Sequence, residues 1–126
     1  MLTKKQVLKV IKLYSEAWIK KDSEKILEVF TPDAVYQEWA FEKPHVGHKE
    51  IKKYWKSKVV DEQRDIEFKL LDLFIDTARN TAIAEWEARF FINNAPKKNH
   101  MKEVAILEFK GNKIKRLREY WANKED

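Results

Sequence analysis

The sequence contains no cysteine and little glycine or proline. The absence of cysteine excludes disulfides, thiolate metal sites and a cysteine nucleophile, and it favours a reducing, cytoplasmic setting. Only two glycines and three prolines are present, and no linker, internal repeat or low-complexity segment interrupts the chain. No run of about 18 apolar residues occurs and the N-terminus enters an amphipathic pattern directly, so we expect neither a membrane span nor a secretory signal.

Basic residues outnumber acidic ones, 26 to 21, which gives a formal net charge of +5. Such an excess can indicate nucleic-acid binding, because lysine and arginine neutralise phosphates. In this chain the acids are interleaved with the bases, and the densest basic stretches, Lys52–Lys58 and Lys113–Arg118, are short. We therefore expect solvated charged faces and no nucleic-acid partner.

The length of 126 residues allows a single domain, 1–126, with one hydrophobic core. Hydrophobic residues make up 44% of the chain and charged residues 37%, a balance typical of globular proteins. Aromatic residues reach 13%, which suggests that some of them line a cavity.

The hydrophobic pattern predicts three helices. Thr3 to Gln6 has the form of a capping box, and apolar residues then recur at helical spacing to about Lys21. Asp22-Ser23 offers a new N-cap for a short second helix, which Thr31-Pro32-Asp33 should end. A third helical period runs from His48 to about Val60.

The remaining segments are typical of β-strands. Two short strands are expected before the third helix and four long ones after it: Ala34–Trp39, Phe41–Val46, Ile66–Asp76, Thr81–Ile92, Lys102–Lys110 and Ile114–Trp121. Compact turns separate the long strands, except at the loop from Asn93 to His100. The pattern predicts an α+β domain in which three N-terminal helices pack on one face of a strongly bent, mostly antiparallel sheet.

This order of elements resembles the nuclear-transport-factor-2-like superfamily, in particular its SnoaL-like domains. The local segments that carry the resemblance are Trp18–Asp22, Phe30–Tyr36, Gly47–Trp55, Ala84–Trp86, and Gly111–Ile114 leading to Glu119–Trp121. The resemblance implies a cone-shaped domain that holds a small apolar molecule. The superfamily includes isomerases, dehydratases, polyketide cyclases and epoxide hydrolases beside non-catalytic modules, so the fold alone does not decide the function.

Over its first half the chain is most similar to the ketosteroid isomerase branch. That resemblance implies that Tyr14 donates to a developing enolate and that Glu38 is the general base. A carboxylate facing an apolar cavity is poorly solvated, which makes it a better base, and a phenol across the cavity can stabilise an oxyanion. The position of the second oxyanion-hole acid falls on Ala105, so half of that arrangement is absent and a steroid isomerase proper is not expected.

The same overlay places Glu119 on the pocket side of the last strand. If Glu119 lies near Glu38, mutual repulsion would keep one of them protonated as an acid. The alternatives are structural: Glu119 could pair with the neighbouring arginines on the outer face of the sheet, Glu38 could be exposed, and Tyr14 could be an ordinary core residue.

Seven aromatic residues follow helix or strand periods that point them to one side, as core or pocket lining: Trp18, Phe30, Trp55, Phe68, Trp86, Phe90 and Trp121. Ala82, Ala84 and Ala88 lie on the same face of one strand and leave room that something must fill. The polar opposite face, with Glu85, Glu87 and Arg89, could contact a second subunit, and the resemblance implies a homodimer packed through the sheet.

Two functions remain open at this point. One is a proton-transfer enzyme, an isomerase, lyase or cyclase, that uses Glu38 and Tyr14. The other is a non-catalytic ligand-binding or dimerisation module. We expect no cofactor, because the chain has no glycine-rich phosphate loop, nucleophile elbow or serine triad. We also expect no metal, because His45 and His48 lack a well-placed third ligand.

Overall fold

The computed structural model describes residues 1–126 and contains two α-helices, α1 (Lys4–Ile19) and α2 (Gly47–Trp55). The strands are β1 (Phe30–Gln37), β2 (His45–Val46), β3 (Gln63–Asp76), β4 (Thr81–Ile92), β5 (Lys98–Lys110) and β6 (Lys113–Glu125). Three short turns of other helix types cover Lys25–Val29 (3-10), Lys56–Val60 (π) and Thr77–Arg79 (3-10). No helix combines the length and apolar character needed to cross a membrane.

All six strands belong to one sheet, in the order β2-β1-β6-β5-β4-β3. Every neighbouring pair is antiparallel except β1 and β6, which run parallel. Alternate residues of β4, β5 and β6 are buried on one face, and these inner residues form a single hydrophobic core with the apolar faces of α1 and α2. The predicted α+β class and mostly antiparallel sheet are confirmed.

Helix α1 follows its sequence signals closely. Thr3 is the N-cap, and its side chain and that of Gln6 form the predicted capping box. The buried stripe contains Ile11, Tyr14 and Trp18, which face the sheet. The spacing of these residues therefore fixes which side of α1 meets the inner face.

The predicted second helix is wrong as an α-helix. Asp22 does cap the segment, since its Oδ1 atom accepts hydrogen bonds from the backbone N–H groups of Glu24 and Lys25. Only the 3-10 helix Lys25–Val29 follows, however, because Phe30 is already paired with Ile114 of β6. A segment this short gains too few hydrogen bonds to offset the cost of starting an α-helix.

The first two strands also differ from their predicted bounds. β1 begins at Phe30, and the predicted turn Thr31-Pro32-Asp33 lies inside it as an irregularity, because pairing with β6 shifts register between Phe30 and Val35. A bulge tolerates proline, which cannot donate to a ladder. β2 is only two residues long, and Phe41 is exposed in the preceding loop.

The four long strands are longer than predicted at several ends. β5 starts at Lys98 rather than Lys102, because its ladder with β4 continues to Phe91 paired with Lys98. The predicted tight turns occur where expected, with left-handed backbone conformations at Asn80 (φ 48°) and Gly111 (φ 61°).

Candidate active-site cavity

A cavity of about 410 Å³ lies between the two helices and the inner face of the sheet. Eleven of its 19 lining residues are hydrophobic. The aromatic members are Tyr14, Trp18, Tyr36, Trp39, Tyr54, Trp55, Phe90 and Trp121. Its volume is in the range of small-molecule sites.

The cavity is acidic although the chain is basic. Five carboxyl side chains line it, against a single lysine: Glu38, Glu42, Glu62, Glu103, Glu119 and Lys58. Lys58 Nζ lies 3.6 Å from Glu62 Oε2 and is largely exposed, so it neutralises the rim rather than the interior. The expectation of a largely apolar pocket is therefore met only in the aromatic part of its wall.

Glu119 lies on the inner face of β6 and is only 4% exposed. Its two carboxylate oxygens accept hydrogen bonds of 2.7 Å, Oε2 from the Tyr14 hydroxyl and Oε1 from the Tyr36 hydroxyl. The two hydroxyl oxygens are 3.4 Å apart. Helix α1 and strand β1 thus each position one phenol against a carboxylate on β6.

Glu103 occupies the corresponding inner face of β5 and is also 4% exposed. Ala105 pairs with Glu119 across the ladder and Glu103 pairs with Trp121, so the two glutamates are diagonal neighbours on one face. Glu103 Oε2 has no hydrogen-bond partner, and neither has the indole Nε1 of Trp86, the residue opposite it on β4. We call Glu103 and Glu119 the carboxyl pair.

The carboxyl pair holds a proton more tightly than free glutamates do. Burial, followed by the negative charge of Glu119, raises the pKa of Glu103 well above its ordinary value. Burial also raises the pKa of Glu119, but hydrogen bonds from Glu103, Tyr36 and Tyr14 oppose that rise by stabilising its charged form. A proton shared by the pair therefore resides mainly on Glu103. Glu119 is the member whose anionic form is stabilised by hydrogen bonds.

The two phenols remain protonated beside this anion. Burial, and next the charge of Glu119, raises the pKa of both Tyr14 and Tyr36 well above the usual value for tyrosine. Both hydroxyls are therefore fixed as donors to Glu119 at any pH near neutrality.

Glu38 follows the last residue of β1 and is half-buried at the cavity wall. The Trp121 indole N–H donates to the Glu38 backbone carbonyl at 2.8 Å, which fixes the start of the loop. Burial first, then the charges of Glu119 and Glu42, raises the pKa of the Glu38 carboxyl, and the nearby Tyr54 hydroxyl partly opposes the shift. Glu38 is thus a more basic carboxylate than a surface glutamate.

The structure brings the three predicted catalytic residues, Tyr14, Glu38 and Glu119, into this one cavity. Of the seven predicted pocket aromatics, Trp18, Trp55, Phe90 and Trp121 line it. The other three, Phe30, Phe68 and Trp86, belong to the surrounding core, and the rings of Trp86 and Phe68 contact Tyr14 at tilted angles. The alanines of β4 are fully packed and do not border the cavity.

Sequence reasoning missed Glu103, Tyr36 and Tyr54. The signal for Glu103 was available in β5, where alternate residues are Met101, Glu103, Ala105 and Leu107. A glutamate within an otherwise apolar alternation indicates a buried carboxyl. Tyr36 could have been found in the same way, because it precedes Glu38 by two residues and shares its face.

His45 of β2 and His48 of α2 do not converge on one site. His48 Nε2 lies 3.0 Å from the Phe30 carbonyl oxygen, whereas the His45 ring stacks on Tyr54 with centroids 4.4 Å apart. No group of three or more histidine, aspartate or glutamate side chains has the arrangement of a metal site.

The family is shown by the sequence, since the model of the SnoaL-like domain matches residues 10–117. The chain belongs to the SnoaL-like domain family. No curated protein matches this SnoaL-like domain by sequence.

Solved structures confirm the nuclear-transport-factor-2-like fold. A candidate isomerase from Bacillus subtilis is 17% identical, with 97% of this chain and 90% of that one covered at a TM-score of 0.84. An LEH-like epoxide hydrolase from M. tuberculosis is 14% identical, with coverages of 94% and 84% and a TM-score of 0.75. A protein from Catenulispora acidiphila with a ketosteroid isomerase-like fold, solved with trimethylamine, is 16% identical, with coverages of 88% and 83% and a TM-score of 0.77.

Proposed function

We propose that this SnoaL-like domain binds a small molecule in its cavity and catalyses proton transfer on it, as an isomerase, dehydratase or cyclase does. The observation that carries the proposal is the presence of three carboxyl groups with different solvation in one cavity of about 410 Å³. Titratable groups whose pKa values are driven apart supply both a base and an acid at one pH.

In the proposed reaction, Glu38 removes a proton from the carbon next to a carbonyl group. The electrons of the C–H bond form the enolate, and the carboxyl pair delivers its shared proton to the developing oxyanion. We assign this donation to the pair rather than to Tyr14 alone, because the Tyr14 hydroxyl already donates to Glu119 at 2.7 Å. The pair is then left with two carboxylates, of which Glu119 is stabilised by the Tyr14 and Tyr36 hydroxyls until the proton on Glu38 is returned.

The test is exchange of carbon-bound hydrogen, which all three reaction types share as a first step. A panel of ketones, some bearing amines, is incubated with the protein in D₂O, and loss of the α-proton signal is followed by NMR. We expect the exchange rate of at least one ketone to exceed the rate in buffer. The Glu38→Gln variant should exchange that ketone at least about 100-fold more slowly than the wild type, which is the usual effect of removing a general base.

Glu85→Gln is the matched control, because Glu85 lies exposed on the outer face of β4 and the charge change is the same. The control should exchange at the wild-type rate. Absence of exchange across the panel, or full activity in Glu38→Gln, would contradict the proposal.

A second candidate is ligand binding without chemistry. It is favoured by the hydrogen bonds from Tyr14 and Tyr36, which lock Glu119 in place. It is also supported by the Catenulispora acidiphila protein, which holds trimethylamine. A ligand that raises the melting temperature and is recovered unchanged, with no exchange in any ketone, would favour this candidate.

We also propose that the protein forms a homodimer through the outer face of the sheet. Val104 and Tyr120, paired across β5 and β6, are 40% and 47% exposed there, and Ile83 and Phe74 form a neighbouring exposed pair on β4 and β3. Exposed apolar side chains gathered on one face are typical of a protein interface.

A further inference from the structure

We infer that the substrate carries a protonated amine, whose N–H donates to the Glu103 carboxyl group inside the cavity. This inference rests on the proposed function and names the chemical class of its substrate, an organic ammonium compound. Three features of the cavity support it: its charge, its unpartnered acceptor and its aromatic walls.

The charge of the interior is negative and is not balanced by the protein. No ion pair in the structure includes Glu103 or Glu119, and the only lysine on the cavity wall pairs with Glu62. Even when one proton is shared between its two members, the carboxyl pair carries a negative charge far from water. A ligand cation would supply the missing counter-charge where the low dielectric strengthens the attraction.

No side chain of the cavity wall donates a hydrogen bond to the Glu103 carboxyl, because the Tyr14 and Tyr36 hydroxyls both donate to Glu119. Glu103 is only 4% exposed and lines the cavity. Its Oε2 atom is inaccessible, on the side of the opposite residue Trp86, so the other carboxyl oxygen is the one that a ligand can meet. Buried carboxylate oxygens nearly always have a hydrogen-bond partner, and leaving one without a partner is costly. An ammonium N–H supplies the cavity-facing carboxyl oxygen of Glu103 with a donor.

The walls fit an organic cation better than a hard metal ion. Trp18, Trp55 and Trp121 present ring surface to the cavity, and ring faces attract ammonium groups while also packing against their carbon substituents. Mg²⁺ and Ca²⁺ need six or more oxygen ligands, for which a wall with eight aromatic residues leaves little room.

Isothermal titration calorimetry with three matched probes tests the inference. The probes are 2-phenylethylammonium, its neutral analogue 2-phenylethanol with the same number of heavy atoms, and the anion 3-phenylpropionate. At neutral pH and low salt, we expect the ammonium to bind at least about tenfold tighter than the alcohol, and the anion to bind most weakly.

Two variants test whether Glu103 is responsible for the preference for the ammonium probe. Glu103→Gln keeps the size of the side chain and removes its charge, so it should reduce the ammonium's preference over the alcohol at least about tenfold while leaving alcohol binding within about twofold. Glu85→Gln, the control on the outer face, should leave both affinities unchanged. Circular dichroism confirms that both variants are folded.

The inference is overturned if the alcohol binds wild-type protein as tightly as the ammonium, if none of the probes binds, or if Glu103→Gln leaves the preference intact. These results are separable from those for proton transfer. Ammonium preference without exchange in any ketone would refute the catalytic proposal alone, whereas exchange confined to neutral ketones would refute the ammonium inference alone.

Discussion

Glu103 places a cost on folding that the surrounding residues do not remove. The unfolded chain solvates this carboxyl fully, while the folded chain buries it beside Glu119. The folded-state pKa is therefore raised, and the folded chain binds more protons than the unfolded chain between the two pKa values. Over that window, the free energy of unfolding falls as pH rises, and it stays at the lower level above the folded-state pKa.

Replacing Glu103 by glutamine should remove this pH dependence. The amide cannot ionise, but its NH₂ group can donate to Glu119 as the protonated acid does. We expect Glu103→Gln to raise the melting temperature relative to wild type more at about pH 9 than at about pH 5, where the wild-type carboxyl is more fully protonated. Thermal unfolding followed by circular dichroism measures the difference.

An equal melting-temperature difference at both pH values would show that Glu103 is not the group responsible. A variant less stable than wild type at high pH would contradict the expected direction. Together with the ligand titrations, this experiment would show whether one carboxyl opposes folding and also selects the ligand.

At the scale of the elements, β4 supplies small buried residues to the inner face of the sheet. Ala82, Ala84 and Ala88 are fully buried, and Ala84 pairs directly with Ala105 of β5, which is buried as completely. Core residues occupy the space above these small side chains, and none of the three alanines borders the cavity. This part of the inner face is therefore closely packed and leaves no room for a larger side chain.

Enlarging the side chain at position 84 should strain the fold. We expect Ala84→Leu to lower the free energy of unfolding by about 1–3 kcal/mol, because the added carbons have no space on the inner face. Ile83→Leu, at the adjacent exposed position, is the control and should change stability by no more than about 0.5 kcal/mol. Urea unfolding measures both, and equal effects would contradict this description of β4.

Elements with signals inside their own sequence could be predicted, and elements defined by distant partners could not. The capping box of α1 and the alternation in β4 appear directly in the residues. In contrast, Thr31-Pro32-Asp33 has the composition of a turn and becomes part of β1 only because β6, far along the chain, pairs with it.

The same distinction applies to the site. Tyr14, Glu38 and Glu119 could be proposed from a resemblance and from residue type. Glu103 was missed although the alternation of β5 carries its signal, because the predicted strand began at Lys102 and its first residues were not assigned a face. The local pattern indicates that Glu103 faces inward, but its position beside Glu119 depends on pairing with β6, which no local pattern contains.

At the scale of the whole molecule, the outer face of the sheet should determine the oligomeric state. We expect wild-type protein to elute with twice the chain mass of 15.2 kDa and Val104→Lys to elute as a monomer, because the new charge would be buried at the interface. Size-exclusion chromatography with light scattering measures the masses. Lys102→Arg, a neighbouring exposed change that keeps the charge, should remain dimeric, and a monomeric wild type would contradict the proposal.

Four of the five tryptophans, Trp18, Trp39, Trp55 and Trp121, surround the cavity, and the fifth, Trp86, lies opposite Glu103 in the sheet. Nearly all of the intrinsic ultraviolet emission of the protein therefore originates within one or two side chains of the ligand space. Occupancy by any molecule would alter the emission without an attached dye, so unlabelled protein can serve directly as a sensor for screening compound collections.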